Sequence, residues 1–159
     1  MTWSASYKLS WEDFKGDPQY SESAVAITAS GISFQYSIRQ SDTKVIGFTT
    51  KVNANFYPEH SWYKPEDADN HVLGHEQLHF DITELFARKF RQRLSEVKVS
   101  NNIKQELNFI KNTINKELEA FQNKYDTETN FSRNKTLQLQ WQLYIEKELQ
   151  KLDRFKSTH

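Results

Sequence analysis

Cysteine is absent from the chain, which removes thiol nucleophiles, disulfide staples and thiolate zinc sites together. Any metal must therefore be held by His, Asp or Glu. A surplus of charge is missing as well: 21 basic and 21 acidic residues give a formal net charge of zero. They are interspersed, so neither nucleic acid nor an anionic membrane finds an electrostatic footprint. No apolar run approaches the ~20 residues of a spanning helix. Met1-Thr2-Trp3-Ser4 lacks the charged and apolar regions of a signal peptide. What the chain does have is rings. Aromatics make up 14% of residues against 36% hydrophobic in total, so much of the apolar area is expected in large side chains such as Trp11, Phe34, Phe48, Phe56, Trp62 and Trp141.

The 159 residues suit one domain with a real core. Its first part reads as sheet, residues 1–60. Tyr7, Leu9 and Trp11 alternate with polar residues, predicting a strand over Ser6 to Trp11 before the Gly16-Asp17-Pro18 turn. Val25, Ile27 and Ala29 alternate up to Ser30-Gly31, and Ile32, Phe34, Tyr36 and Ile38 alternate after it, a pattern that predicts a hairpin turning at the glycine. A third run places Ile46, Phe48, Thr50, Val52, Ala54 and Phe56 on one face until Pro58.

Residues 65–156 read as helical. Pro65, followed by the acids Glu66, Asp67 and Asp69, predicts a helix start. Ala68, Val72, His75, His79, Ile82, Phe86 and Phe90 then recur at spacings of three and four, so two histidines share one inward stripe. Gly74 costs a helix about 1 kcal/mol relative to Ala, which suggests a close packing contact there. Asn102 with Gln105 resembles a capping box opening a helix with stripe Ile103, Leu107, Ile110, Ile114, Leu118 and Phe121, ending near Tyr125. Leu137, Trp141, Ile145, Leu149 and Leu152 mark a last helix, and the tail Ser157-Thr158-His159 is expected to fray. The expected fold is α+β, one zincin-like domain over 1–159, with an N-terminal antiparallel sheet, the histidine helix and two further long helices.

His75-Glu76-x-x-His79 carries the chemistry. Two imidazoles four residues apart on a helix face the same way and can bind one zinc ion, with Glu76 beside them as general base. A lone histidine on an apolar stripe is ordinarily a satisfied core residue. Two at metal spacing with an acid in register would be costly to bury without a partner. A catalytic zinc takes a third protein ligand. Glu84 is rotated some 140° from His79, so second-sphere contact or a surface salt bridge is its expected role. His71 lies too far along the helix, and a solvated or capping role is expected for it. Glu106, Glu117 and Glu119 on the next helix compete with the stretch Tyr125-Asp126-Thr127-Glu128-Thr129-Asn130, which is preferred because helix carboxylates usually face solvent.

Several of these segments together resemble a known family. Leu9-Ser10-Trp11-Glu12-Asp13-Phe14-Lys15-Gly16, Ser61-Trp62, the run from His75 to Glu84 with Ala87-Arg88, and Tyr125-Asp126-Thr127-Glu128-Thr129 are similar to the bacterial family catalogued as domain of unknown function 922. That resemblance implies an exported zinc-dependent peptidase, periplasmic or extracellular, acting on a peptide or protein. The family's pattern carries a histidine six residues after the tyrosine, where this chain has Phe131. If that histidine is a ligand, Asp126 or Glu128 replaces it or the site is degenerate; if Asp126 is the ligand, as in the aspartate class of zincins, nothing is missing. Asp126 is the choice, with Tyr125 as a candidate oxyanion donor. Asn53-Ala54-Asn55-Phe56 also resembles the edge strand with which thermolysin-like peptidases hold substrate, making Asn53 and Ala54 candidate substrate-binding residues. The alternatives are a decayed zincin-fold binding module and a zinc amidase acting on cell-wall peptide, for which surface aromatics such as Trp62 would suit the polymer.

Overall fold

The computed structural model describes residues 1–157; Thr158 and His159, part of the tail expected to fray, lie outside the described residues. In chain order come β1 (Ala26–Ile27), β2 (Ser30–Ser41), β3 (Lys44–Phe56), β4 (Trp62–Tyr63), α1 (Asn70–Ser95), α2 (Ile103–Glu128) and α3 (Lys135–Lys151). The fold is α+β, as expected: β2 pairs with β3 and β1 with β4, both antiparallel, and three helices follow.

The alternation signals were real, but the turn lies elsewhere. Gly31 is an interior residue of β2, paired with Asn55, and the hairpin instead reverses between Ser41 and Lys44 with Asp42 at φ 56°. Aspartate tolerates that left-handed conformation better than most residues. β1 does not join this hairpin; Ala26 pairs with Tyr63 and Ile27 with Trp62. On β3 the expected face holds for Val52, Ala54 and Phe56 but fails at Ile46, which is 56% exposed while Val45 is buried. The ladder explains the failure. Arg39 pairs with Gly47 and Gln40 with Val45, so Ile46 is an inserted bulge residue and the faces exchange beyond it.

The expected strand over Ser6–Trp11 does not form. Residues 11–13 make a short 3-10 turn instead, and only the first three residues run along the sheet. There Phe56 N–H donates to the carbonyl of Met1 and Trp3 N–H to that of Ala54, so this N-terminal strap occupies the free edge of β3.

α1 lies at the centre. From Phe80 to Arg88 every residue is buried, which requires neighbours on all sides, and α1 contacts β2, β3, α2 and α3. The helix starts later than Pro65 suggested, because the N–H groups of Asp67 and Ala68 both turn back to the carbonyl of Lys64. Asp69 is the cap, its carboxylate accepting Val72 N–H at 2.8 Å. Gly74 has nothing within 4 Å of where a Cβ would stand, so close packing does not account for it. α2 starts where expected, though the Asn102 side chain makes no capping bond.

The core is ring-rich, as composition implied. Phe14, Phe56 and Phe80 form one chain of ring contacts, Phe34 meets Phe90, and Phe121 and Tyr125 both meet Trp141. Each such side chain, fully buried, contributes about 1.5–3 kcal/mol. Trp62 is buried as well, at 7% exposure, and offers no surface to a polymer.

Candidate metal centre

His75 and His79 project from successive turns of α1 toward the last turn of α2, where Asp126 meets both. Asp126 Oδ1 lies 2.9 Å from His75 Nε2 and 2.8 Å from His79 Nε2. Asp126 is helical rather than part of a turn, since α2 continues to Glu128; it is turned inward because Tyr125 beside it belongs to the buried stripe. Of the competing carboxylates, Glu117 pairs with Arg93 and Glu128 accepts from Trp141 Nε1, while Glu106 and Glu119 are exposed.

The proton positions on the two rings follow from their neighbours. Gln122 directs its Nε2 to the carbonyl of His79 at 2.8 Å, so its Oε1, 2.6 Å from His79 Nδ1, must accept a proton from that nitrogen. Tyr125 donates its hydroxyl to the carbonyl of His75, and Gln138 donates Nε2 to the Tyr125 oxygen. Gln138 Oε1 therefore faces His75 Nδ1 at 2.7 Å as an acceptor. Both imidazoles carry their proton on Nδ1 and aim the Nε2 lone pair at Asp126. Three acceptor atoms within 4.8 Å of one another then share one point without a donor among them.

Such a point attracts a cation. A metal ion fits it: imidazole, imidazole and carboxylate are a suitable donor set, each ring braced through its second nitrogen. Four-coordinate geometry with bonds near 2.1 Å would place the donors about 3.4 Å apart, a small opening from the separations to Asp126. In the absence of metal a proton serves. The Asp126 hydrogen bond and the nearby Glu76 charge raise the His79 pKa against the opposing effect of burial. Asp126 itself is held well below the ordinary carboxylate range: burial would raise it, but the two imidazoles against its Oδ1 outweigh that.

Glu76 is buried at 4% exposure. Burial pushes its pKa up, against the lowering influence of His79, His75 and the Thr28 hydroxyl. Thr28 Oγ1 donates to Glu76 Oε2 at 2.6 Å, which leaves Oε1 without a hydrogen-bonded partner among the described residues. His75, Glu76, His79 and Asp126 all line a cavity of about 560 Å³, closed on one side by residues 22–28 and on the other by residues 131–135.

Other candidates lie elsewhere. Tyr125 is fully buried and stacks on the His75 ring at 4.5 Å, with its hydroxyl committed to the His75 carbonyl; it positions the ligand and does not face the cavity. Asn53 and Ala54 are not brought to the cavity, and the Ala54 carbonyl is taken by the N-terminal strap. His71 lines the cavity and places Nε2 2.6 Å from the carbonyl of Ser132. Glu84 forms a buried ion pair, not a surface one, with Arg88 and Arg91.

Sequence reasoning missed Thr28, Gln122 and Gln138. Gln138 had a signal: it sits three residues before Trp141 on the inward stripe of α3, where a polar residue requires a polar partner. Gln122 lies one helical turn before Asp126 and shares its face. Thr28 had no local signal, because its partner is 48 residues away.

No curated protein and no solved structure matches the chain. A family profile does match, described as a bacterial protein of unknown function and covering residues 14–134, a stretch that includes both small sheets, α1 and Asp126. The chain belongs to that family, DUF922.

Proposed function

We propose that this protein is a zinc-dependent peptidase in which His75, His79 and Asp126 hold the ion and Glu76 is the general base. The observation that carries the reading is the convergence of three lone pairs, with both ring tautomers fixed by glutamines, beside a buried carboxylate on the same cavity. Bound there, zinc supplies Lewis acidity, polarising a peptide carbonyl and making water acidic enough to ionise near neutral pH. Glu76 does the proton work. Its raised affinity for a proton suits it to take one from water and return it to the leaving amine, and Thr28 holds Oε2 so that Oε1 is turned to the cavity.

The peptide has a place to lie. The carbonyl of Val25 accepts Lys64 N–H, so Val25 and Ile27 direct their backbone groups to β4, and those of Ala26, which lines the cavity, turn the other way. A substrate adds there as a further strand, with main-chain hydrogen bonds supplying affinity. β1, rather than the Asn53–Ala54 segment, is the edge that serves.

The test is hydrolysis of a defined peptide pool by zinc-loaded protein, read by mass spectrometry. Glu76→Gln should reduce turnover at least 100-fold while zinc content stays at the parent level. Absence of bound zinc after loading, with His75→Ala as stable as the parent, would remove the proposal. The same assay run on cell-wall peptides separates an amidase from a general peptidase.

A binding module with a decayed site is the second reading, favoured by Phe131 at the family's histidine position. Phe131 reaches the cavity rim and is 54% exposed. A large gain of zinc affinity in Phe131→His would favour decay; little change accords with a site already completed by Asp126.

A further inference from the structure

The connection between α2 and α3 is the wall of the cavity that the catalytic proposal leaves unused. Its backbone is unusual: Asn130, Phe131 and Ser132 have φ of 49°, 53° and 81° in succession, none of them glycine. Left-handed residues in series are strained and persist only where the surroundings fix them. The fixing bonds are present. Phe131 N–H donates to the carbonyl of Asp126, Asn134 N–H to that of Thr129, and His71 Nε2 approaches the carbonyl of Ser132 at 2.6 Å. The segment is thereby tied to the metal-ligand end of α2 and to the first turn of α1.

This rigid turn holds an aromatic ring half in solvent. Phe131 is 54% exposed at the cavity rim, and across the cavity Ile27 is 40% exposed on β1. Both would lose apolar exposure to an apolar side chain lying between them. Beside Phe131 on the same wall stand Arg133 and Lys135, both exposed. Neither side chain has an ion pair or hydrogen bond among the described residues, whereas the opposite wall contributes only Glu22 as a charged group. The catalytic floor is different: its carboxylates, Glu76 and Asp126, are partnered by Thr28 and by the two histidines, and neither pairs with Arg133 or Lys135.

We propose that the 130–135 turn is a substrate-recognition element that selects peptides carrying an acidic residue next to an aromatic or large aliphatic one. Phe131 with Ile27 takes the apolar side chain, and Arg133 with Lys135 takes the carboxylate. This rests on the reading of the cavity as a peptide-binding cleft.

Binding to the zinc-loaded Glu76→Gln chain tests it without turnover. The probes are three fluorescently labelled, C-terminally amidated pentapeptides of otherwise identical alanine sequence, containing Phe-Asp, Phe-Asn or Ala-Asp at the centre, measured by anisotropy. Phe-Asp should bind tightest, about fivefold better than Phe-Asn, as two exposed ion pairs warrant, and the advantage should shrink as salt is raised. Adding Arg133→Glu and Lys135→Glu should abolish the preference for Asp over Asn, and Phe131→Ala the preference for Phe over Ala. An unchanged order of affinities in both variants would overturn the proposal. Cleavage by the chain with Glu76 intact is scored separately. Selective binding without cleavage removes the peptidase reading alone, cleavage with indifferent variants removes the recognition element alone, and no binding removes both.

Discussion

α1 buries two charged clusters, and they are built in opposite ways. Toward its C-terminus, Glu84 lies between Arg88 and Arg91 at 3.1 Å from each, and the arginines donate onward to the carbonyls of Leu149, Val52 and Phe155. Among the buried side-chain atoms of the described residues, only Glu84 Oε2 has no hydrogen-bond partner. Toward its N-terminus, His75 and His79 meet Asp126 with Glu76 beside them, two carboxylates with no arginine or lysine paired to either among the described residues. The first cluster pairs its one carboxylate with two guanidinium groups and ties the sheet and the last helix to α1. The second is short of one cation and opens on a cavity. Burial of charge alone does not identify a functional site; a deficit of positive charge beside open space does.

Exchanging perturbations between the clusters tests that contrast. Asp126→Ala should abolish stoichiometric zinc binding, a loss of several orders of magnitude by isothermal titration, with a smaller loss of metal-free stability confined to the pH range in which the Asp126 carboxylate is ionised. Glu84→Ala should do the reverse: it strands two guanidinium groups, one of them 3% exposed, and should cost about 3 kcal/mol by urea denaturation while zinc affinity is retained. If Glu84→Ala weakened zinc and Asp126→Ala did not, the roles assigned to the clusters would be wrong. A smaller effect is expected from the braces. Gln122→Ala removes the acceptor for His79 Nδ1–H and should weaken zinc roughly 10- to 100-fold, the range for lost second-sphere partners.

The two clusters also differ in pH response. His79 has a raised pKa in the folded chain, so its protonation stabilises the metal-free protein fully below the unfolded value of about 6.5 and that contribution is lost as pH rises through the folded value. Asp126, with a lowered pKa, contributes above about 3.9 and loses its contribution as pH falls. Metal-free stability should therefore decline from pH 6.5 upward. Zinc-dependent stabilisation should grow over the same interval, because the ion binds deprotonated imidazole. Thermal melts across pH with and without zinc would show the crossing. The smallest effect tests the helix that carries both clusters: Gly74→Ala, which meets nothing, should stabilise the chain by about 1 kcal/mol and leave zinc affinity unchanged.

How far the sequence disclosed this arrangement depended on the range of the interactions. The His75–His79 spacing is a helical repeat and was visible directly, as was the inward stripe of α1. The class of fold followed from alternation before residue 60 and three-four spacing after it. The hairpin turn was misread at Gly31 because alternation on both sides of a glycine does not reveal whether the strand continues; the pairing with Asn55, 24 residues later, decides it. The bulge at Ile46 was hidden for the same reason. Glu84 seemed a surface group because helical angle reports direction but not what stands in that direction, here Val52 and the chain near Phe155. Thr28 and Asn53–Ala54 make the sharpest pair: one just past β1 and beside Glu76, the other within β3 and closed by the N-terminal strap.

The central claim is that one cation completes the cluster on α1 and α2. It is tested most directly by a zinc-edge X-ray absorption spectrum of the loaded protein with a matched metal count. The account predicts one zinc per chain with two imidazole nitrogens and one carboxylate oxygen at about 2.0–2.2 Å, and loss of that signal in Asp126→Ala. Zinc bound with the same spectrum in Asp126→Ala, or no zinc retained by the parent chain, would contradict it.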